Sequence, residues 1–155
     1  MPFGDYKNPK ILDESNLMNV SKSLQKVELK VADFRELEKV VATEDSFVYF
    51  EPPYRPLSKT SSFTSYSKTN FDEQAQISLA NTFKILNDRG AKLMLSNSDP
   101  KNVDQKDNFF ETQYAGFNIQ RVLANRMINS VAAQRSKITE LLIRNYPTTL
   151  LGAKR

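Results

Sequence analysis

Phe47-Val48-Tyr49-Phe50-Glu51-Pro52-Pro53-Tyr54 is the stretch whose reading decides the fold. Four consecutive apolar residues predict a short strand buried on both faces, the pattern of an interior strand in a parallel sheet. Pro52 and Pro53, which have no N–H to give to a ladder, end it. Downstream, Asp72 predicts the cap of a helix running through Asn87, with Ile77, Leu79, Phe83 and Leu86 as its apolar positions. Asp88-Arg89-Gly90 turns into a strand over Ala91–Leu95 that exits at Ser96-Asn97-Ser98-Asp99. Upstream, Asp13 caps a helix carrying Leu17, Val20 and Leu24, and Val27-Glu28-Leu29-Lys30-Val31 alternates as a strand leading into Ala32-Asp33-Phe34. Residues 35–43 suit a short helix, and further strands are expected near 117–123 and 138–145.

Strands alternate with helices as far as residue 96, which is the pattern of parallel βαβ units, and the last two strands have little between them. The expected architecture is therefore α/β, a partial doubly wound (Rossmann-like) sheet, mostly parallel with an antiparallel edge pair. In such sheets functional loops lie beyond the carboxyl ends of the strands. That edge receives Asp33-Phe34, Glu51–Tyr54 and Ser96–Asp99.

Composition narrows the chemistry. The chain has 155 residues, 39% hydrophobic and 26% charged, which is enough for one domain with a core. It has no stretch of bilayer-spanning apolar length and no signal-peptide pattern at Met1-Pro2-Phe3-Gly4-Asp5, so a cytoplasmic location is expected. His and Cys are both absent, which removes Ser-His-Asp and Cys-His nucleophiles, any thiolate or imidazole metal site, and the cysteine that attack on a cytosine ring requires. Net charge is +4, and residues 113–155 carry seven Lys/Arg against the single acid Glu140. That segment reads either as a solvated face or as phosphate contact. Residues 55–70 form a loop with Arg55, Lys59, Lys68, eight Ser/Thr, Phe63 and Tyr66 and no acid.

Each candidate position has a structural and a functional reading. Glu51-Pro52-Pro53-Tyr54 is either a strand-terminating turn or an amine-holding site. In the second reading the Glu51 carboxylate and the Pro52 carbonyl accept hydrogens from an exocyclic amine, localise its lone pair, and aim it at an electrophile. Tyr54 stacks on the extruded base. Asp33 is either the cap of the next helix or an acceptor for an adenine amino group, with Phe34 in the core or against the ring. Ser96–Asp99 is a turn, or Asn97 braces the base-binding loop.

Taken together these residues resemble the Dam-type (D12 class) DNA adenine-N6 methyltransferases, in which a strand ends in Asp-Pro-Pro-Tyr. The resemblance extends to Pro2–Lys7, to Pro56-Leu57-Ser58 with Phe63-Thr64-Ser65-Tyr66, to Leu95–Asp99, and to Arg126–Ser130, Arg135-Ser136-Lys137 and Glu140-Leu141-Leu142. It implies that Glu51, Pro52, Pro53 and Tyr54 hold the target adenine of double-stranded DNA in its flipped state. It implies that Asp33 and Phe34, with Glu51 nearby, meet the methyl donor S-adenosylmethionine. Lys59, Phe63, Tyr66, Asn97, Arg126, Arg135 and Lys137 become candidate nucleic-acid contacts, in an enzyme of bacterial restriction-modification type. Residues 1–12 would close the target-recognition region, 13–146 form the C-terminal part of the catalytic domain, and 147–155 a tail.

Two departures from the family pattern stand out. The family's aromatic-x-Gly-x-Gly donor loop, its ribose-binding acid and most of its DNA-reading part have no counterpart here. The resemblance thus covers a C-terminal portion, expected to be a truncated and catalytically impaired form of the enzyme; the alternatives are a non-enzymatic nucleic-acid-binding remnant, or a chain active only when completed by self-association or an N-terminal partner chain. The second departure is Glu51 in place of Asp. One extra methylene shifts the carboxylate by about a C–C bond length, and ~1 Å of misplacement costs on the order of a hundredfold in rate.

Overall fold

The computed structural model describes residues 12–40, 44–57, 71–125 and 137–147, with Asn125 and Lys137 described by backbone only. The chain divides into two compact units, Met1–Ala32 and Asp33–Arg155.

In the first unit the expected helix forms as α1, Glu14–Leu24. Asp13 caps it, its carboxylate accepting from the Asn16 N–H at 3.2 Å, which satisfies one of the donors a helix start leaves unpaired. Leu17, Val20 and Leu24 share a face that stays roughly half exposed. The strand expected over Val27–Val31 does not form. Its alternation is that of a strand, but a strand needs a neighbour to take its backbone groups, and none is present among the described residues. Val31 and Leu29 are accordingly exposed, Leu29 at 82%.

The second unit is built on a four-stranded sheet. Its strands are β1 (Phe47–Phe50), β2 (Lys92–Ser98), β3 (Asn118–Asn125) and β4 (Lys137–Arg144), in spatial order β1-β2-β4-β3. β1 and β2 are parallel, with Phe50 opposite Leu95, and the crossover between them contains α3 (Glu73–Asp88). β4 runs antiparallel to both neighbours, placing Ile143 between Leu95 and Ile119. The expected βαβ unit and the antiparallel pairing of the last two strands are both present. A mostly parallel sheet is not: among the described strands one pairing is parallel and two are antiparallel. The reason is geometric, because β4 inserts beside β2 and so converts two contacts at once.

α3 begins where Asp72 accepts from the Ala75 N–H at 2.8 Å. Leu79, Phe83 and Leu86 fall on one stripe of it and pack against Phe50, Leu93, Leu95, Leu141 and Ile143. Gly90, at φ 87°, closes the helix and turns the chain into β2, a conformation that costs glycine little. β2 continues through Ser98, further than its apolar run suggests, because β4 pairs with it as far as Glu140. The helix expected over 35–43 is a single 3-10 turn, Phe34–Glu36, leading into the short α2, Leu37–Val40; 41–43 lie outside the described residues.

α4 (Phe109–Gln113) brings Phe110 and then Tyr114 onto the core. The Tyr114 hydroxyl is buried with no hydrogen-bond partner, and burial pushes its phenol strongly upward in pKa. Removing an unsatisfied buried hydroxyl relieves its desolvation cost, so Tyr114→Phe is expected to raise the unfolding free energy by about 1 kcal/mol in a urea titration.

β1 departs from expectation in one respect. Phe50 is buried, but Phe47 and Tyr49, on the opposite face, are 55% and 47% exposed. The second face of β1 is therefore only about half covered. A run of apolar residues records that both faces suit burial and says nothing of what covers the second.

Candidate functional site

The carboxyl ends of the parallel strands β1 and β2 lie side by side, and the Glu51–Arg55 segment is tied to β2 by a buried amide network. The Asn97 side chain is fully buried, and its Oδ1 accepts from the Arg55 backbone N–H and from Ser98 N–H, each at 2.9 Å. Its Nδ2 donates to Gln76 Oε1 at 3.2 Å, and Gln76 Nε2 donates in turn to the Pro53 carbonyl at 2.9 Å. Ser98 Oγ donates to the Arg55 carbonyl at 2.6 Å. The loop is thus held at Pro53 and on both sides of Arg55. Among the described residues nothing claims the Pro52 carbonyl, and Glu51 is exposed.

Arg55 anchors the far side of the loop. Its guanidinium meets Asp107 at 2.7 Å and Glu73 at 3.1 Å, and lies 4.5 Å above the Phe109 ring. Partial burial works to raise the pKa of Asp107, but the hydrogen bonds from Arg55 and from Phe109 N–H outweigh it and leave the carboxyl below its ordinary value. Tyr54 is half-buried beside Ser96, whose Oγ lies 2.9 Å from the Tyr49 hydroxyl. Burial, only partly offset by its hydrogen bond with Ser96 and reinforced by the charges of Glu140 and Glu51, raises the Tyr54 pKa and keeps the ring a neutral phenol.

Asp33 serves as the cap of the 3-10 turn, accepting from Arg35 N–H at 3.0 Å, and is also gripped by the Arg35 guanidinium at 2.7 Å through both oxygens. Those hydrogen bonds hold its carboxyl at about 2, against 3.8 ordinarily. A carboxyl depressed on folding adds stability above its unfolded pKa and loses it as pH falls toward the folded one. For Asp33 that window runs from about 4 down to about 2. Arg35→Gln is expected to return the Asp33 titration to near the ordinary carboxylate range, read by carboxyl-carbon NMR. Phe34 packs edge-on against Phe71, 5.8 Å between ring centroids. With Arg35, Asp72, Gln74, Ala75 and Ser78 it lines a cavity of about 320 Å³ at the start of α3.

Of the other expected contacts, Lys59, Phe63, Tyr66, Arg126 and Arg135 lie outside the described residues, and Lys137 opens β4 with its side chain outside them. Asn97, expected to touch nucleic acid or to brace the loop, has both ends of its amide engaged and no exposed surface, a placement suited to bracing. The basic C-terminal segment is partly internal. Arg121 pairs with Asp99 and Glu111, and Arg144 is buried against Gln120. Gln76 and the Arg55 cage escaped sequence reading. Gln76 carried a signal, since it falls on the stripe of α3 that bears Leu79, Ala80 and Phe83, and a polar residue on a buried stripe requires partners.

A parallel strand thus ends in an acid, two prolines and a tyrosine, and the loop is braced from the neighbouring strand. The chain belongs to the D12 class N6 adenine-specific DNA methyltransferase family, whose model matches residues 1–128. It is 55% identical over 147 residues to a type II methyltransferase of Methanocaldococcus jannaschii, covering 94% of this chain and 48% of that protein. It is 39% identical over 148 residues to a type II methyltransferase of Lactococcus lactis subsp. cremoris, covering 94% and 49%. A DNA adenine methylase of Vibrio cholerae is 34% identical over 143 residues, covering 92% and 48%. The chain therefore spans about half the length of the curated relatives it matches.

Proposed function

We propose that this chain carries the target-adenine half of a site-specific, S-adenosylmethionine-dependent DNA adenine-N6 methyltransferase. Transfer then requires the rest of the fold to complete the donor pocket. The observation that carries this reading is the bracing of the loop. Gln76 occupies the Pro53 carbonyl and Asn97 the Arg55 N–H, which leaves the Pro52 carbonyl and the Glu51 carboxylate as the two acceptors for an amine.

In double-stranded DNA the adenine must first leave the stack, and Tyr54, a half-buried neutral ring, offsets part of that cost by stacking. Glu51 and the Pro52 carbonyl then each accept a hydrogen bond from the amine and direct the nitrogen lone pair outward. S-adenosylmethionine, when bound, supplies an electrophilic methyl on a sulfonium. Its nucleoside end fits the cavity beside Phe34, whose volume lies within the usual range for small-ligand pockets. For Asp33 to accept from the donor's adenine, Arg35 must swing away, a small cost for an exposed ion pair. The sheet at this stage is the C-terminal portion of a doubly wound, Rossmann-like one, acting in the cytoplasm.

The test is transfer of radiolabelled methyl to adenine-containing duplex, by this chain alone and by this chain completed with the remainder of the M. jannaschii relative. The chain alone is expected to be inactive and the completed assembly active. An assembled but inactive complex would overturn the reading. In the active assembly Glu51→Asp withdraws the carboxylate by one methylene and is expected to raise the single-turnover rate by roughly a hundredfold. The basic loop at 55–70 and the net charge of +4 favour a second reading, nucleic-acid binding without chemistry. That reading predicts salt-dependent duplex binding by the chain alone.

A further inference from the structure

We propose that Ser96, supported by Tyr49, is a positioning residue for the target adenine: its hydroxyl fixes the angle of the Tyr54 ring on which that base stacks. The inference rests on the adenine-holding reading above, and its test separates the two.

The sequence sets up the arrangement. Tyr49 lies two residues before Glu51 and Tyr54 three residues after it, so two phenols bracket the acid and both prolines. Parallel pairing puts Tyr49 opposite Met94, and alternation along β2 brings Ser96 to the same face. There the Tyr49 hydroxyl and Ser96 Oγ lie 2.9 Å apart, and the Tyr54 hydroxyl bonds to Ser96 as well. A serine hydroxyl has one hydrogen to donate and two lone pairs, enough to serve both phenols. Ser96 is only 7% exposed, so water competes little for these bonds.

β2 thereby holds the loop through three consecutive residues. Asn97, facing α3, accepts from the Arg55 N–H, and Ser98 Oγ donates to the Arg55 carbonyl. Those two bonds fix backbone and leave the side-chain torsions of Tyr54 open. The torsion that turns an aromatic ring on its Cβ has broad wells, so packing of the backbone alone does not set the ring's angle. A bond at the phenol oxygen, the side-chain atom furthest from the backbone, does set it. Tyr49 holds the Ser96 hydroxyl from a position on β1 itself, which refers the stacking ring to the sheet. A stacked base follows its platform, and ~1 Å of misplacement at the reacting atom costs up to about a hundredfold in rate.

Ring-carbon NMR relaxation in the full 155-residue chain reads the tether directly. The ring at position 54 is expected to be ordered in the native chain and in Ser96→Thr, which keeps a hydroxyl. It is expected to gain motion in Ser96→Ala and in Tyr54→Phe. Function is read as single-turnover methyl transfer by the chain assembled with the remainder of the M. jannaschii relative. Ser96→Ala is expected to slow transfer about tenfold and Tyr49→Phe about threefold, with Ser96→Thr within about threefold of native. The deciding measurement is the double variant. In a Tyr54→Phe background, Ser96→Ala is expected to slow transfer by less than about twofold, because the bond it removes is already gone. A serine needed only for folding would cost the same in both backgrounds, and that additivity would overturn the proposal. So would a Tyr54 ring equally ordered in Ser96→Ala. An active native assembly insensitive to Ser96→Ala overturns this proposal alone, whereas an inactive native assembly overturns the adenine-holding reading and this one with it.

Discussion

Phe83→Ala is expected to lower the unfolding free energy of the second unit by about 4 kcal/mol, the upper part of the range for deleting a fully buried aromatic. Phe83 is completely buried at the point where α3 meets the sheet. Its ring centroid lies 5.0 Å from that of Phe117, 5.3 Å from Tyr114 and 5.9 Å from Phe50, so one side chain joins the crossover helix, the α4 region and β1. Truncation removes the ring's own burial, three aromatic contacts, and the wall that the other three rings rest on. Collapse around the hole is resisted because two of those rings sit on sheet and helix positions fixed by backbone bonding. A domain of this size holds only about 5–15 kcal/mol in total, so the variant sits near the edge of folding at 37 °C. The check is a urea titration followed by tyrosine fluorescence and far-UV circular dichroism. Phe83→Leu, which refills most of the volume, is expected to lose only about 1.5 kcal/mol. Equal losses for the two substitutions would mean that the aromatic geometry, and not the cavity, sets the cost.

The elements most legible in the sequence are those whose signals are local. Asp13 and Asp72 each announce a helix by offering an oxygen to a backbone N–H three residues on, and both are found doing so. Gly90 marks the helix-to-strand turn because few other residues tolerate its positive φ. The last two strands were foreseen within a residue or two of where they lie. Pairing partners were not legible. Nothing local tells an edge β1 from an interior one, or reveals that Val27–Val31 has no strand neighbour among the described residues. Strand composition reports what a residue can be buried against, and register is a property of two segments at once.

The candidate site divides in the same way. The tetrad Glu51–Tyr54 reads directly, because a strand followed by an acid, two prolines and an aromatic is a compact local statement. The residues that hold it in place come from α3, from β2 and from the segment around Asp107, in bonds that span 23 to 52 positions of the chain. Arg55 illustrates the loss. Within a loop rich in Lys, Ser and Thr it looks like one more phosphate contact, yet two carboxylates and a phenyl ring claim it as a structural anchor. Arg144, buried against Gln120, repeats the lesson in the basic C-terminal segment: counting cations along a sequence overstates how many face solvent.

Asn97→Leu tests whether that bracing is what shapes the adenine-holding loop, and it is expected to cost about 3 kcal/mol in unfolding free energy. Leucine has the same branched skeleton with bulkier methyl ends, so the change removes every hydrogen bond of the amide and adds some crowding. It deprives the Arg55 and Ser98 N–H groups of their common acceptor and leaves Gln76 Oε1 without its donor, inside a pocket where Asn97 itself has no exposed surface. The asymmetry of hydrogen-bond energetics makes this large: a bond made contributes little net, whereas a buried group left unmade carries its full desolvation cost. Gln76→Leu is the informative companion. It frees the Pro53 carbonyl but leaves the Arg55 N–H on Asn97, so it is expected to cost less and to loosen the prolines more than the arginine. Hydrogen exchange at the Arg55 amide separates the two, rising in Asn97→Leu and staying near the native rate in Gln76→Leu. If neither variant changes stability or loop exchange, the two prolines and the Arg55 cage hold the turn unaided. The amide network would then have no part in placing Glu51 and the Pro52 carbonyl where an amine can reach both.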